Sequence, residues 1–235
     1  MTPEANSIKI ERTVKTLREL SLEKMREAII DGYFQPGQRL IERALCDELG
    51  VSRTIVREVL RHLETEGLVE TGSHQGPVVA TLDLSKVAEI YEIRALLEGH
   101  AARACAAFAS PEVVTQLDEV VDKIENAFAK SDFKAVMRHT TEFYEVMFIG
   151  GGKTTSLEIV QSLNARINRL RAMTISSSGR GADAVSEMRS LLDAIRHRDS
   201  DKAYEMSVAH IRRVADIVVA RLQEMEQSSP VAKTS

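Results

Sequence analysis

The chain has 235 residues, 43% of them hydrophobic and 4% aromatic, with no tryptophan; this can bury a core in each of two domains and favours helices over sheets. Cys46 and Cys105 stand far apart, outside any CxxC or Cys/His cluster, so neither a disulfide framework nor a thiolate zinc site is indicated and a reducing cytoplasm is the expected compartment. No apolar run reaches the roughly 18 to 20 residues that span a bilayer, the polar start Met1 to Ser7 lacks the apolar segment of a signal peptide, and a net charge of −4 leaves any affinity for DNA to a local gathering of cations.

In chain order, Leu20, Leu22, Met25, Ala28, Ile29 and Ile30 recur at helical spacing from Leu17 to Asp31, and Gly32, Pro36 and Gly37 stop that helix. A short helix is expected over Glu42 to Leu49, closed by Gly50 in the left-handed conformation. Ser52 is placed to cap a third, whose stripe of Ile55, Val56, Val59, Leu60 and Leu63 runs to Gly67. From Leu68 to Ala80 the pattern changes: Leu68, Val69 and Val78, Val79 flank Gly72-Ser73-His74-Gln75-Gly76, which reads as a small β-hairpin. Three helices and a hairpin make a winged helix-turn-helix over residues 8–80.

After a connection near Thr81 to Leu84, helices are expected over Ser85 to Ala109, Pro111 to Lys130, Asp132 to Ile149, Thr155 to Met173, Ala182 to Arg198 and Asp201 to Gln227. Ser110-Pro111 is a cap followed by proline at the first helical position, Asp132 and Asp201 are candidate caps, Gly150-Gly151-Gly152 is a break and Ile175 to Gly181 is a loop. The fold expected is mainly α: the winged domain, an antiparallel six-helix bundle over residues 84–227, and a disordered tail over 228–235.

On the third helix Arg53, Arg57 and Arg61 follow at i, i+4, i+8, across from the core stripe. Ser52, Arg53, Thr54 and Arg57 offer hydroxyls and guanidinium forks suited to phosphates and guanine edges where a recognition helix meets the major groove. The run Leu22 to Val79, with "REAIIDGYFQPGQRL" and "CDELGVSRTIVREVLRHLETEGLV", resembles the DNA-binding domain of the GntR family of bacterial regulators. The resemblance implies operator contacts from Arg43, Arg53 and Arg57, with the wing tip at Gly76 reaching the minor groove. Ile55 stands where relatives often carry proline.

The second domain is similar to the FCD type of effector domain, in its shorter vanillate-regulator-like variant, through "YEIRALLEGHAARACA", "EFYEVMF", "EMRSLLDAIRHRD" and "AHI". Most such domains hold a divalent metal on one Asp and three His. The resemblance puts those positions at Thr140, Tyr144, Met188 and His210, so only the last ligand remains; a hydroxyl, a phenol and a thioether are poor ligands, and no metal or other cofactor is expected. It also implies that Arg94 faces the cavity, to pair with an anionic effector such as a carboxylate, alongside Thr140, Tyr144, Met188 and His210. Arg94 has a rival reading as the ion-pair partner of Glu98 one turn along, and Arg169 and Arg171 can be read as pocket or surface.

The function expected is therefore a ligand-responsive transcription regulator, in the repressor mode, binding a double-stranded DNA operator as a cytoplasmic homodimer. The rivals are an architectural DNA-binding dimer that takes no ligand, and an all-helical enzyme. The second is disfavoured because no phosphate loop, nucleophile elbow or triad spacing occurs.

Overall fold

A computed structural model describes residues 15–72, 76–177 and 179–228. Ser73, His74 and Gln75 at the hairpin tip, residues 8–14 of the expected first domain, and the expected tail beyond 228 lie outside the described residues. The chain divides after Val79 into two units.

The first unit begins with α1 (Leu17–Ile30), opened by a reciprocal cap in which Thr16 accepts from the Glu19 amide and the Glu19 carboxylate accepts from the Thr16 amide. Short α2 (Glu42–Leu49) ends on Gly50 at φ +66°, the left-handed closure expected from sequence. Ser52 caps α3 (Arg53–Thr65) by accepting from the Ile55 amide. β1 (Val69–Gly72) pairs antiparallel with β2 (Gly76–Val79), in register Val69 to Val79 and Gly72 to Gly76. Residues 37–40 add a third backbone segment to β2, through Leu40 N–H to the Pro77 carbonyl and Val79 N–H to the Gln38 carbonyl, both 2.9 Å. Leu22, Met25 and Ile29 from α1 and Val56, Val59 and Leu63 from α3 are buried, and Arg26 clamps Glu66 at the end of α3 at 2.8 and 2.5 Å. The result is the winged helix-turn-helix that the periodicity implies.

The second unit consists of α4 (Leu84–Phe108), α5 (Pro111–Ala129), α6 (Phe133–Gly150), α7 (Thr154–Ser162), α8 (Asn164–Thr174), α9 (Arg180–Arg196) and α10 (Ser200–Ser228). Its core gathers around α4, α5 and α6, with Phe143, Phe148, Met147, Leu117 and Ile124 fully buried. α10 packs along α4, and α5 packs on both α6 and α9. Ser110 and Asp132 act as the expected caps, accepting from the Val113 and Ala135 amides.

Three expectations need correction. The single helix expected from Thr155 to Met173 is two, α7 and α8, because Leu163 turns the chain by donating its amide to Val160, three residues back, at 3.0 Å. Asp201 does not cap the last helix: Asp199 does, its carboxylate accepting from the Lys202 amide at 3.0 Å, while Asp201 lies inside α10 and pairs with Arg103 at 2.7 Å. Gly181, expected in the loop, belongs to α9.

Candidate nucleic-acid interface and effector cavity

The amphipathic pattern of α3 fixes which side chains leave the protein. With Val56, Val59, Leu60 and Leu63 turned inward, Arg53, Thr54, Arg57 and Arg61 are exposed on the other face, and Arg43 is exposed on α2. Ser52 is exposed with its hydroxyl engaged in the cap, and Gly76 is half-buried at the start of β2 with φ +70°. Glu42, at the first turn of α2, was not singled out by sequence. Its carboxylate accepts from Arg57 Nε at 2.9 and 3.0 Å and lies 3.7 Å from Arg53 Nε. The hydrogen bond from Arg57 raises the guanidinium pKa further above its ordinary value. A guanidinium that already holds a planar carboxylate is positioned for the similar geometry of a phosphate or a guanine edge.

In the second unit Arg94 from α4, Thr140 and Tyr144 from α6, Met188 from α9 and His210 from α10 border one cavity. The cavity has a volume of about 50 Å³, room for a few water molecules. Arg171 and Thr174 from α8 and Arg180 from α9 complete its polar wall, while Ile124, Phe128, Val136, Ala184 and Val214 supply the apolar one. The cavity brings together all five residues named from sequence.

Their chemistry differs from what was expected in one respect. Arg94 is 3% exposed and forks onto Glu98, itself 1% exposed, with Nε to Oε1 2.7 Å and Nη2 to Oε2 3.3 Å. It also stacks over Tyr91 and Tyr144, 5.2 and 5.8 Å from their ring centres. Burial works against this cation, but Glu98 raises its pKa beyond the ordinary arginine value. Arg94 thus borders the cavity as half of a buried ion pair. Burial drives the Tyr144 phenol far up, so it is neutral, and the Thr140 hydroxyl donates to the Val136 carbonyl at 2.8 Å.

His210 Nδ1 meets Glu187 Oε2, which also accepts from Arg180 at 3.2 Å; Glu187 Oε1 lies 3.1 Å from Arg213. Burial opposes ionisation of Glu187, yet His210 and Arg180 outweigh it and hold the pKa below the ordinary carboxylate value. Glu187 is therefore ionised and His210 Nδ1 donates to it. Burial pushes the imidazole pKa down in turn, against the pull of Glu187. The donor set does not fit a divalent ion. A neutral phenol, a hydroxyl already donating, a thioether and one imidazole tied to a carboxylate that carries two arginines give no ligand sphere.

Arg180 and Glu187 were not recognised from sequence as cavity groups, and Arg171 was left open between pocket and surface. The signal available was weak, since Arg169 and Arg171 sit two apart on one helix and cannot share a face. The structure separates them: Arg171 borders the cavity, and Arg169 is buried with Nη1 donating to the Ala80 carbonyl at 2.7 Å.

A winged helix with an exposed arginine ridge on its third helix, followed in the chain by an all-helical unit built around a polar cavity, is the architecture of a DNA-binding regulator of transcription. Residues 22–79 match the bacterial regulatory proteins of the gntR family and residues 89–213 match the FCD domain; the chain belongs to the GntR family, in the branch that carries an FCD domain. It is 24% identical to the HTH-type transcriptional regulator YdhC of Bacillus subtilis over 87% of this chain and 92% of that protein. It is 26% identical to the galactonate operon transcriptional repressor of Escherichia coli, over 80% of this chain and 93% of that one. Among solved structures, E. coli McbR/YncC shares the fold with a TM-score of 0.73 at 20% identity, covering 89% of this chain and 100% of its own.

Proposed function

We propose that this regulator is a cytoplasmic homodimer that represses from a palindromic operator and is controlled by a small anionic metabolite held, without a metal, in the cavity of its second unit. The observation that carries the effector reading is the cavity itself, bordered by Arg94, Thr140, Tyr144, Met188 and His210 from four different helices. Repression draws support from the E. coli relative named as a galactonate operon repressor. The dimer follows from matching a two-fold protein to a two-fold DNA site, with one α3 in each half-site. Arg43, Arg53 and Arg57 contact DNA, with Ser52 and Thr54 beside them and Gly76 at the wing.

A route from cavity to operator exists along the chain. β2 ends at Val79, α4 begins at Leu84, and Arg94 on α4 borders the cavity. The effector acts by binding one arrangement of this connection better than another, since only differential affinity shifts such an equilibrium.

Fluorescence anisotropy with an operator fragment tests the DNA assignment. Arg53→Ala and Arg57→Ala are each expected to weaken specific binding by about 1 to 3 kcal/mol with the melting temperature unchanged. Unchanged affinity at matched salt removes α3 from the interface. Elemental analysis of protein purified without chelator is expected to find well under one divalent ion per chain, and a stoichiometric ion would overturn the metal-free reading.

A further inference from the structure

Three guanidiniums border the cavity, and they are not equivalent. Arg94 is neutralised by Glu98 at 2.7 Å and Arg180 by Glu187 at 3.2 Å. Arg171 forms no ion pair among the described residues, and the nearest help is the longer-range attraction of Glu98, already forked by Arg94. The Arg171 Nη1 is held by two neutral groups, Asn168 Oδ1 at 2.9 Å and Thr141 Oγ1 at 3.4 Å. The Nε and Nη2 edge, the side that reads a carboxylate with two parallel bonds, makes no hydrogen bond among the described residues. Burial first, and then the charge of Arg94, act against its protonated form. Arginine does not release its proton, so this opposition is stored as an unmet demand for negative charge.

The sum of charges around the cavity follows directly. Arg94 with Glu98 gives zero, Arg180 with Glu187 gives zero, His210 is neutral, and Arg171 leaves one positive charge. Arg213, the other cation on Glu187, is 60% exposed and solvated. A ligand bearing a single negative charge brings the cavity to neutrality. A second carboxylate would have to shed its water with no cation to receive it. The wall formed by Ile124, Val136 and Val214 suits an apolar body, and the volume limits its size.

We propose that Arg171, and not Arg94, is the anion anchor of the cavity, and that it selects a small monocarboxylate with an apolar body. This rests on the reading of the cavity as the effector site, and two measurements on the full-length protein separate the two ideas. The first needs no ligand. Arg171→Gln removes a cation that has no ion-pair partner and is expected to raise the melting temperature of the free protein by about 2 to 4 °C, the usual trade between stability and a binding site. Arg94→Gln strands Glu98 and is expected to lower it. A fall on Arg171→Gln as large as that on Arg94→Gln would make Arg171 a structural group and overturn the proposal.

The second measurement compares butyrate, butyramide and succinate by thermal shift and calorimetry. Butyrate is expected to bind the wild type at least tenfold more tightly than the amide or the diacid. Arg171→Gln is expected to weaken butyrate about tenfold to a hundredfold, and Arg171→Lys, which keeps the charge and loses the fork, by less. If butyrate or succinate binds the wild type and Arg171→Gln equally well, the effector reading stands and the anchor is wrong. If succinate binds the wild type better than butyrate, the charge count is wrong. If neither anion binds the wild type, the effector reading falls and takes the anchor with it.

Discussion

Glu42 holds Arg57 through its Nε and lies 3.7 Å from Arg53 Nε, so it screens both arginines at the start of α3 before any DNA arrives. Operator binding must exchange one carboxylate for phosphate or base edges, and Glu42 also repels the phosphates nearby. Glu42→Gln is therefore expected to tighten binding to non-specific DNA several-fold at low salt, more than it tightens operator binding, so that discrimination falls. Equal affinities for the variant and wild type on a scrambled duplex would show the pair to be irrelevant to binding. Burial of His210, against the pull of its partner Glu187, gives the second unit a pH response. Burial depresses the His210 pKa below its ordinary 6.5 in the folded chain, while the unfolded chain titrates normally. Below that pH the unfolded state binds a proton that the folded state refuses, so stability is present above 6.5 and lost as pH falls. The melting temperature should drop between pH 7 and 5 by more in the wild type than in His210→Gln, and parallel curves would remove His210 as the cause. Neither pair was legible in the sequence. Arg53, Arg57 and His210 were found from spacing and resemblance, but Glu42 and Glu187 sit 15 and 23 residues from Arg57 and His210, on other helices, and only the packing of those helices brings them together.

At the scale of elements, the sequence was most informative where chain punctuation is chemical. Gly50 and the caps at Ser52, Ser110 and Asp132 announce themselves because a left-handed residue or an oxygen acceptor is needed there. The turn at Leu163 carries no proline or glycine and is made by tertiary packing of apolar residues on both sides, including buried Val160 and Ile167, so periodicity ran straight through it. Asp199 and Asp201 are equally good caps on paper, and the left-handed Arg198 at φ +60° decides between them by ending the preceding turn. The triple glycine was read as a break, which it is, yet Gly151 has a separate reason to be small. A Cβ there would lie 2.9 Å from the Ala101 carbonyl oxygen and 2.9 Å from the Cys105 amide nitrogen on α4. Those are backbone atoms and cannot swing aside. Gly151→Ala is expected to cost about 1 to 3 kcal/mol by forcing the end of α6 away from α4, read as a lower midpoint in chemical denaturation. Gly151 itself has φ −87°, so an unchanged midpoint would mean that α4 yields there.

At the scale of the whole chain, an acidic protein can still bind DNA because Arg43, Arg53, Arg57 and Arg61 are exposed in the first unit while the acidic excess is spread along the sequence. What joins that unit to the effector is a question of covalent neighbours. α8 carries Arg171 at the cavity and, two residues earlier, Arg169, whose Nη1 donates to the carbonyl of Ala80, the residue directly after β2. Both Arg169 and Ala80 are buried, so under the proposed effector control any shift of α8 would act on the start of the connection to α4 through a charge-assisted hydrogen bond and not through a solvated side chain. Arg169→Gln is expected to leave two quantities nearly intact: the thermal shift given by the best-binding carboxylate, and operator affinity without ligand. It should reduce the ratio of operator affinities measured with and without that carboxylate, because this ratio is the coupling free energy and depends on the link alone. If the variant keeps the full ratio, the hydrogen bond is only a local tie of the connecting segment, and coupling runs through α4.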